Sequence, residues 1–382
     1  MTVSATRKAD VAIVGAGILG LAHAYFAAKR GRKVVVFERS PRAQGASVRN
    51  FGMIWPIGQR AGRVLQMATR SRQLWQEILD ASALPFRPTG SLHVVYHQDE
   101  VDVAQEFCER GPALGYTCSW LAPAEVLKKS NSVNPKGLLG GIWSPTEITV
   151  DPRQILAKLP DFLAEKLGVQ FRFGTAVRSI QLPNIEAGSE VWQAERAIVC
   201  GGDDFESLYP ELFAGSGIDR CKLQMMRTAP QKNGWELGPS LAAGLTLRFY
   251  PAFEICTLTL PKYKERVARE LAEYDRFAIH TLVSQTADGA LTLGDSHEYG
   301  IAVDIFNKTE IDELVMKNVG EFLMAPDLTI AQRWYGVYAK HPEKSWVTIN
   351  AATGVRIVTA VGGSGMTLSF GLAEQMIREM DL

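Results

Sequence analysis

The sequence predicts an α/β nucleotide-binding domain of Rossmann type, interrupted by a second, α+β domain built on antiparallel sheet. Three observations carry this. The stretch Val11-Ala-Ile-Val-Gly15-Ala-Gly17-Ile18-Leu-Gly20 joins a short β-branched run to a glycine turn. A second apolar run, 33–37, ends in Glu38, at the spacing of a strand–turn–helix–strand–acid unit. The tail repeats the pattern, with a β-branched run at 355–361, glycines at 362–365 and a helical stretch after them.

In the first unit the apolar run reads as a buried strand that Gly15 closes in a tight turn. Gly17 leaves no side chain between backbone and ligand, and Gly20 lets the following helix, about 17–30, press against the strand. The helix N-terminus, with Ile18 in its first turn, offers unpaired N–H groups and a partial positive charge to a pyrophosphate. Glu38 can accept from a ribose, and its charge disfavours a 2′-phosphate there. A signal peptide or membrane anchor over 11–28 is opposed by the glycines, by His23 on the apolar face and by the strand that follows so soon. A strand and helix with chance glycines is the remaining plain reading.

Past Glu38 and Arg39, the small and polar run 44–52 suits a loop passing a ligand, or an ordinary surface loop. Val64, Leu65, Ala68, Leu74 and Ile78 have helical spacing and predict a surface helix over 62–79. After a break at Pro85 and Pro88, 91–96 reads as a strand and 100–114 and 122–129 as helices, with Gly- and Pro-rich connections through Pro145. Asp151 and Pro152 predict an N-cap and first turn of a helix to Leu167, kinked or broken at Pro160. Strands are expected at 168–173 and 175–180, and at 196–200, which runs into Gly201 and belongs beside the first strand. From 221 to 333 short strands crowd together, at 223–229, 245–250, 255–260, 277–285 and 291–294, with one long helix near 309–323. The nucleotide domain is thus assembled from 1–85, 146–220 and 335–382, and the second domain from 86–145 and 221–334.

Composition narrows the function. A chain of 382 residues, 46% hydrophobic and 21% charged, is long enough for two soluble domains with cores of their own. Its 41 basic and 41 acidic residues balance, so neither nucleic acid nor an anionic membrane surface is an expected partner, and no transmembrane segment is expected. The five cysteines are odd in number and lack CxxC spacing, which fits reduced, buried thiols in a cytoplasmic protein. The six histidines form no HExxH-like pair, so no metal is expected.

Further motifs stand in a recognisable order: the Ala46-Ser47-Val48-Arg49-Asn50 loop, Asp151-Pro152, Phe173-Gly174-Thr175-Ala176-Val177, Ala197-Ile-Val-Cys-Gly201 and Gly363-Ser364-Gly365-Met366-Thr367. With the opening unit they resemble the D-amino-acid oxidase, glycine oxidase and sarcosine oxidase superfamily of FAD enzymes over essentially the whole chain. The resemblance implies a glutathione-reductase type domain binding non-covalent FAD. It implies oxidation of a small amine or amino acid by hydride removal from the carbon next to nitrogen, giving an imine that water hydrolyses, with oxygen or another acceptor taking the electrons. Carried over by position, Gly15, Gly17 and Gly20 would hold the pyrophosphate, Glu38 the adenosine ribose and the Val177 backbone the adenine. Ser47, Arg49 and Asn50 would lie along the flavin, and Gly365, Met366 and Thr367 at its pyrimidine end. Ile18, Arg39, Gly201 and Gly363 are taken with them as cofactor-binding.

The departures from the family are as informative. Tyr338 stands at or near the place of the arginine that clamps the substrate carboxylate in glycine oxidase-like members. Gly336 stands where monomeric sarcosine oxidases attach flavin to a cysteine. Thr292 replaces their oxygen-activating lysine, and Thr367 their substrate-binding lysine. Both usual carboxylate clamps are therefore missing. The stretches 49–56, 223–228 and 294–300 resemble a narrower branch linked with phosphonate breakdown, which implies aminoethylphosphonate-like amines. A phosphonate head requires cationic or donor groups, for which Arg227, Arg49, Lys340 and His297 are the candidates; surface charges and a turn histidine are the plain readings. Arg227, on a strand pattern beside methionines, is expected to face the pocket. Tyr250, Tyr335 and Tyr338 are expected to line it or to be core. The expected catalytic set is Tyr338, Arg227, His297, Lys340 and Tyr250. Three other readings stand beside this one: an amine dehydrogenase passing electrons to a carrier, a non-catalytic flavin-binding subunit or sensor, and an NAD-binding protein, for which the tail motif has no use.

Overall fold

Four sheets organise residues 7–382, the part of the chain that the computed structural model describes. The first has six strands in the order Gln170–Phe173, Val34–Glu38, Val11–Val14, Arg196–Val199, Val355–Thr359, Val347–Ala352, and is parallel except for the last. As expected, the strand from Arg196 lies beside the first, with Arg196 opposite Val11 and Val199 opposite Val14. Because these strands are parallel, the glycines after Val14, Val199 and Thr359 emerge at one edge, the carboxyl edge where α/β sheets hold ligands. The helix Ile18–Lys29 is buried along nearly its whole length, since it packs against this sheet and against helices Pro152–Leu167 and Gly365–Glu379. An apolar helix of this kind carries no solvent face. Gly20 permits its approach to the strand: a Cβ there would sit 1.9 Å from the Gly15 carbonyl oxygen. Gly371 plays the same part between Gly365–Glu379 and Arg63–Ser82, where a Cβ would lie 2.5 Å from the Met67 carbonyl oxygen.

The large sheet runs Glu298–Gly300, Asp219–Pro230, Ala290–Gly294, Leu282–Gln285, Ser240–Ala242, Ser91–Val95, Gly140–Ser144, Ser119–Leu121. Ile330–Lys340 also pairs with Asp219–Pro230, from Asp219 opposite Lys340 to Thr228 opposite Ile330. It carries residues 335–340 to the closing glycines, where Lys340 bridges Val361. Smaller sheets join Met53–Ile54, Ile148–Val150 and Phe86–Arg87, and Arg7–Lys8 with the strands between Val177 and Gln193. Among the described residues, no helix is long and apolar enough to cross a membrane.

Several expectations are corrected. Residues 245–250 and 255–260 are not strands. The first is mostly the 3₁₀ segment Gly244–Arg248, and the second spans the end of the 3₁₀ segment Pro251–Ile255, a turn and the start of helix Leu260–Glu270. The Thr246 hydroxyl donates to the Ala243 carbonyl at 2.6 Å, closing a local turn where a ladder was expected, and Pro251 removes a donor. The single long helix Thr309–Phe322 is therefore joined by Leu260–Glu270 and Ala272–Arg276. Of 277–285 only Leu282–Gln285 is strand. Pro160 leaves Pro152–Leu167 as one helix, and Asp151 caps it, accepting from the Arg153 N–H at 2.9 Å.

Candidate functional site

One cleft of about 800 Å³ runs from the first glycine turn to the large sheet. At its near end the lining is mostly backbone. Gly15 adopts φ +100°, and a Cβ on it would lie 2.4 Å from the Cys200 carbonyl oxygen, so only glycine fits. A Cβ on Gly17 would point at the Ser47 hydroxyl, 3.1 Å away. That hydroxyl accepts from the Ile18 N–H at 3.0 Å and ties the 46–48 turn to the helix N-terminus. Glu38 accepts from the Ala16 N–H at 2.9 Å and the Ser40 N–H at 3.0 Å, which fixes its carboxylate at the cleft wall. Arg39, also on the wall, pairs with Asp204 at 2.6 Å. Val177 and Gly201 complete this end.

The middle is formed by the closing turn and the 46–52 loop. Gly363, Gly365, Met366 and Thr367 line the cleft at the start of the terminal helix, whose N-terminus faces it with a partial positive charge. Two bonds hold that helix start in place. The Thr367 hydroxyl accepts from the Trp55 N–H at 2.9 Å, and the Trp75 indole N–H donates to the Met366 carbonyl at 2.7 Å. Arg49 donates to the Tyr335 carbonyl at 3.1 Å, and Asn50 bonds the carbonyls of Ala46 and Ser47 at 3.0 Å, stiffening the loop.

The far end is built from side chains. Tyr338 stands over the closing turn; its hydroxyl would be 3.5 Å from a Cβ on Gly363. Lys340 lies over the rings of Tyr299 and Phe249, 4.8 and 5.5 Å from their centres, and donates to the Tyr299 hydroxyl at 3.1 Å. Among the described residues no carboxylate lies within 4.0 Å of its ammonium group. Burial, which penalises the charged form, lowers its pKa. Phe249 stacks on His280 with centroids 3.7 Å apart, His297 lies 4.8 Å from His280, and Tyr250 meets His280 edge-on. Burial lowers the pKa of His297 to about 3 and that of His280 well below its ordinary value. It raises those of Asp295, Tyr250 and Tyr338 well above theirs. The far end is therefore an aromatic box with Lys340 as the cation at its solvent-facing rim.

Every predicted cofactor residue except Gly20 lines this cleft, as do Tyr338, Lys340, His297 and Tyr250. Gly20 acts one layer behind, through the helix contact. Arg227 is not brought to the cleft. Its side chain runs to the hairpin at the sheet's other end, where it bonds Asp288 at 2.6 Å and the Thr286 hydroxyl at 2.7 Å. Thr292 lies opposite Arg227 on the neighbouring strand and lines a separate small pocket with Arg49, Asn50 and Trp334. His280, Asp295 and Phe249 were not anticipated from the sequence. The adjacent strands at 277–285 and 291–294 were the signal, since a hairpin between them sets His280 against Asp295.

A family model described as "FAD dependent oxidoreductase" (DAO) matches residues 10–379. The bifunctional protein ThiO/ThiG of Nostoc sp. is 27% identical over 214 residues, covering 53% of this chain and 32% of that protein. Glycine oxidase of Geobacillus kaustophilus is 25% identical over 162 residues, covering 40% of this chain and 43% of that one. The matches thus span less than half the length of these curated relatives. In three dimensions the crystal structure of glycine oxidase from Geobacillus kaustophilus superposes with a TM-score of 0.76 at 16% identity, covering 98% of this chain and 95% of that one. L-proline dehydrogenase from P. horikoshii superposes with a TM-score of 0.76 at 19% identity, covering 98% and 94%. At such identities the likeness establishes the fold: a Rossmann-like domain joined to a domain on a mostly antiparallel sheet, in which Ser240–Ala242 and Ser91–Val95 run parallel.

Proposed function

The chain belongs to the DAO family of FAD-dependent oxidoreductases, and on that premise we propose that it oxidises the C–N bond of a small amine or amino acid whose anionic group is drawn to Lys340. An aminophosphonate is the substrate class we favour. The observation that carries this reading is the Lys340 ammonium group, without a carboxylate partner among the described residues, at the aromatic end of the cleft. A partly buried cation without a counter-charge gains from an anionic ligand, and a phosphonate offers more charge and more acceptor oxygens than a carboxylate.

The near end and middle fit FAD, because a glycine turn that admits no Cβ at Gly15 leads into a helix N-terminus at the cleft wall, with the Glu38 carboxylate fixed beside the turn. Gly15, Gly17, Ile18, Gly20, Glu38, Arg39, Ser47, Arg49, Asn50, Val177, Gly201, Gly363, Gly365, Met366 and Thr367 would hold it. We read 1–85, 146–220 and 335–382 as the body that does so, and 86–145 with 221–334 as the body that selects the substrate. Gly336 offers no nucleophile, which supports non-covalent binding. When bound, FAD supplies the two-electron acceptor for a hydride leaving the carbon next to nitrogen. The chain's own part is placement. Lys340 attracts the anionic head, Tyr338 closes the box above Gly363, and Phe249, Tyr250 and His297 exclude water. His297, kept neutral by burial, adds no positive charge to repel the substrate ammonium. Five free cysteines support the cytoplasmic setting proposed with it.

A second reading concerns the acceptor. Thr292 offers no positive charge to activate oxygen, which favours a carrier over oxygen as electron acceptor. The test is an anaerobic flavin-reduction screen of purified protein with glycine, sarcosine, D-amino acids, plain amines, 2-aminoethylphosphonate and its N-methyl form, followed by reoxidation with oxygen or a dye. Bleaching by the phosphonates, with Lys340→Met needing about 10- to 100-fold more of them for it, supports the reading. Bleaching by ordinary amino acids alone overturns the phosphonate assignment. Fast reoxidation by oxygen would remove the carrier reading.

A further inference from the structure

We propose that His280, Asp295 and His297 form a binding site for one divalent transition-metal cation, with open coordination positions facing the cleft. The three come from the two arms of one hairpin and its continuation. The His280 N–H donates to the Asp295 carbonyl at 3.3 Å and the Asp295 N–H to the His280 carbonyl at 3.2 Å, so the two residues stand directly opposite. The His297 N–H donates to the Phe277 carbonyl at 2.7 Å, which turns His297 back beside them. All three are buried, at 2%, 6% and 5% exposure, yet each lines the cleft.

The hydrogen-bond pattern leaves ligand atoms of all three residues free for a cation. Nδ1 of His280 and Nδ1 of His297 lie 3.4 and 3.3 Å from the same acceptor, the Ala278 carbonyl oxygen. A carbonyl can only accept, so the tautomer that suits this contact has the hydrogen on Nδ1 and leaves each Nε2 a bare lone pair. These lone pairs point at a carboxylate: His280 Nε2 is 3.5 Å from Asp295 Oδ1, and His297 Nε2 is 3.9 Å from Oδ2. Such separations are too long for hydrogen bonds. Ligand atoms held at about 2.0–2.2 Å from one cation stand roughly 3.0–3.5 Å apart; the His280 pair is at that spacing and the His297 pair is wider, so a bound ion would draw His297 inward. Asp295 Oδ1 has no hydrogen-bond partner although it is buried, and one ligand atom from each residue lies within 4.8 Å of the others. Two imidazoles and one carboxylate suit zinc, cobalt or ferrous iron and leave positions for a ligand.

The surroundings say what that ligand would be. With a cation bound Asp295 would supply a single negative charge, and Lys340 and Arg248 are the cations whose fields reach His280 and His297. A divalent ion here would keep net positive charge toward the cleft, so an anionic group arriving near Lys340 would complete its coordination. In the part concerning the ligand, this rests on the function proposed above; the metal site itself does not.

The test uses flavin-loaded, tag-free protein stripped with a chelator, dialysed against Zn²⁺ or Co²⁺ and passed through a desalting column. Elemental analysis then gives metal per flavin. The wild type is expected to retain one equivalent, and Asp295→Asn and His297→Gln to bind at least about 100-fold more weakly. A rise in melting temperature on adding Zn²⁺, present in the wild type and absent in the variants, is the second readout. Flavin content of the variants reports their folding independently of turnover. Retention of no metal by the wild type, or equal retention by wild type and a flavin-loaded Asp295→Asn, overturns the site. Neither result touches the amine-oxidation reading, which the bleaching screen decides.

Discussion

The two ends of the cleft are made of different material. The glycine end is walled by backbone: a positive-φ glycine against a carbonyl, a helix N-terminus, and a carboxylate that takes N–H groups from the turn itself. The aromatic end is walled by side chains from strand Ile330–Lys340, from the turns at 249–250 and from both arms of the 280–297 hairpin. A backbone site is specified by steric exclusion at a few fixed spacings and tolerates almost no change. A side-chain site is specified by convergence and can be rewritten one residue at a time. The difference separates what the chain must bind from what it can choose.

The sharpest way to break this contrast is at Gly15. Gly15→Ala forces a Cβ onto the Cys200 carbonyl at φ +100°, so flavin-loaded protein should be lost outright, read as the flavin-to-protein absorbance ratio. A ratio equal to the wild type would mean that the turn is not under the steric control described.

Acid is expected to act next. His93, fully buried in the large sheet with neither ring nitrogen partnered, has its pKa lowered to about 3 by burial. His23, beneath the nucleotide sheet, is lowered to about 4, again chiefly by burial. Both pKa values are depressed below the ordinary 6.5, so each histidine leaves the fold at full stability above pH 6.5. That stability drains away as the pH falls, by up to about 1.4 kcal/mol per unit for each group. The loss runs to about pH 4 for His23 and about pH 3 for His93, so the large sheet is the more acid-sensitive region. Chemical denaturation at pH 7 and pH 4 should show the loss, and His93→Phe should reduce it; an unchanged pH slope would sink the idea.

At the aromatic end effects are expected in kinetics and not in flavin content. Lys340→Met should raise the KM for an anionic substrate by about 10- to 100-fold, the range for losing a charge-assisted hydrogen bond, with the flavin ratio intact. The smallest kinetic effect belongs to Arg227. Arg227→Lys weakens the bond to Asp288 and Thr286, away from the cleft. It should cost about 1 kcal/mol of stability, partly screened because Asp288 is half exposed, and leave kcat/KM within a factor of two. A larger kinetic loss would return Arg227 to the site.

The same contrast explains what could be read from the sequence. Gly15, Gly17, Gly20 and Glu38 were legible because their roles depend on spacing along one short stretch, and the Asp151 cap because capping is local. Ser47 and Thr367 were legible as positions near the cleft, but not as the acceptors that bind Ile18 and Trp55. Residues 245–260 were misread because apolar residues alternate there like a strand, while the Thr246 hydroxyl and Pro251 favour tight turns. Arg227 was misplaced because strand pattern tells which residues alternate but not toward which end of a sheet a long side chain runs. His280 and Asp295 meet only through the register of a hairpin, so no spacing rule brings them together.

The long strand Asp219–Pro230 has a final consequence. It is paired along one edge by Ile330–Lys340 and along the other by Ala290–Gly294 and Glu298–Gly300. On the clock of amide hydrogen exchange its N–H groups should be among the last to go, since fraying of one neighbour does not free the other edge. Ile330–Lys340 is a ladder partner on one side only, and its amides should exchange sooner. Tyr338 and Lys340 thus ride on a rim that breathes, fastened to a rib that does not.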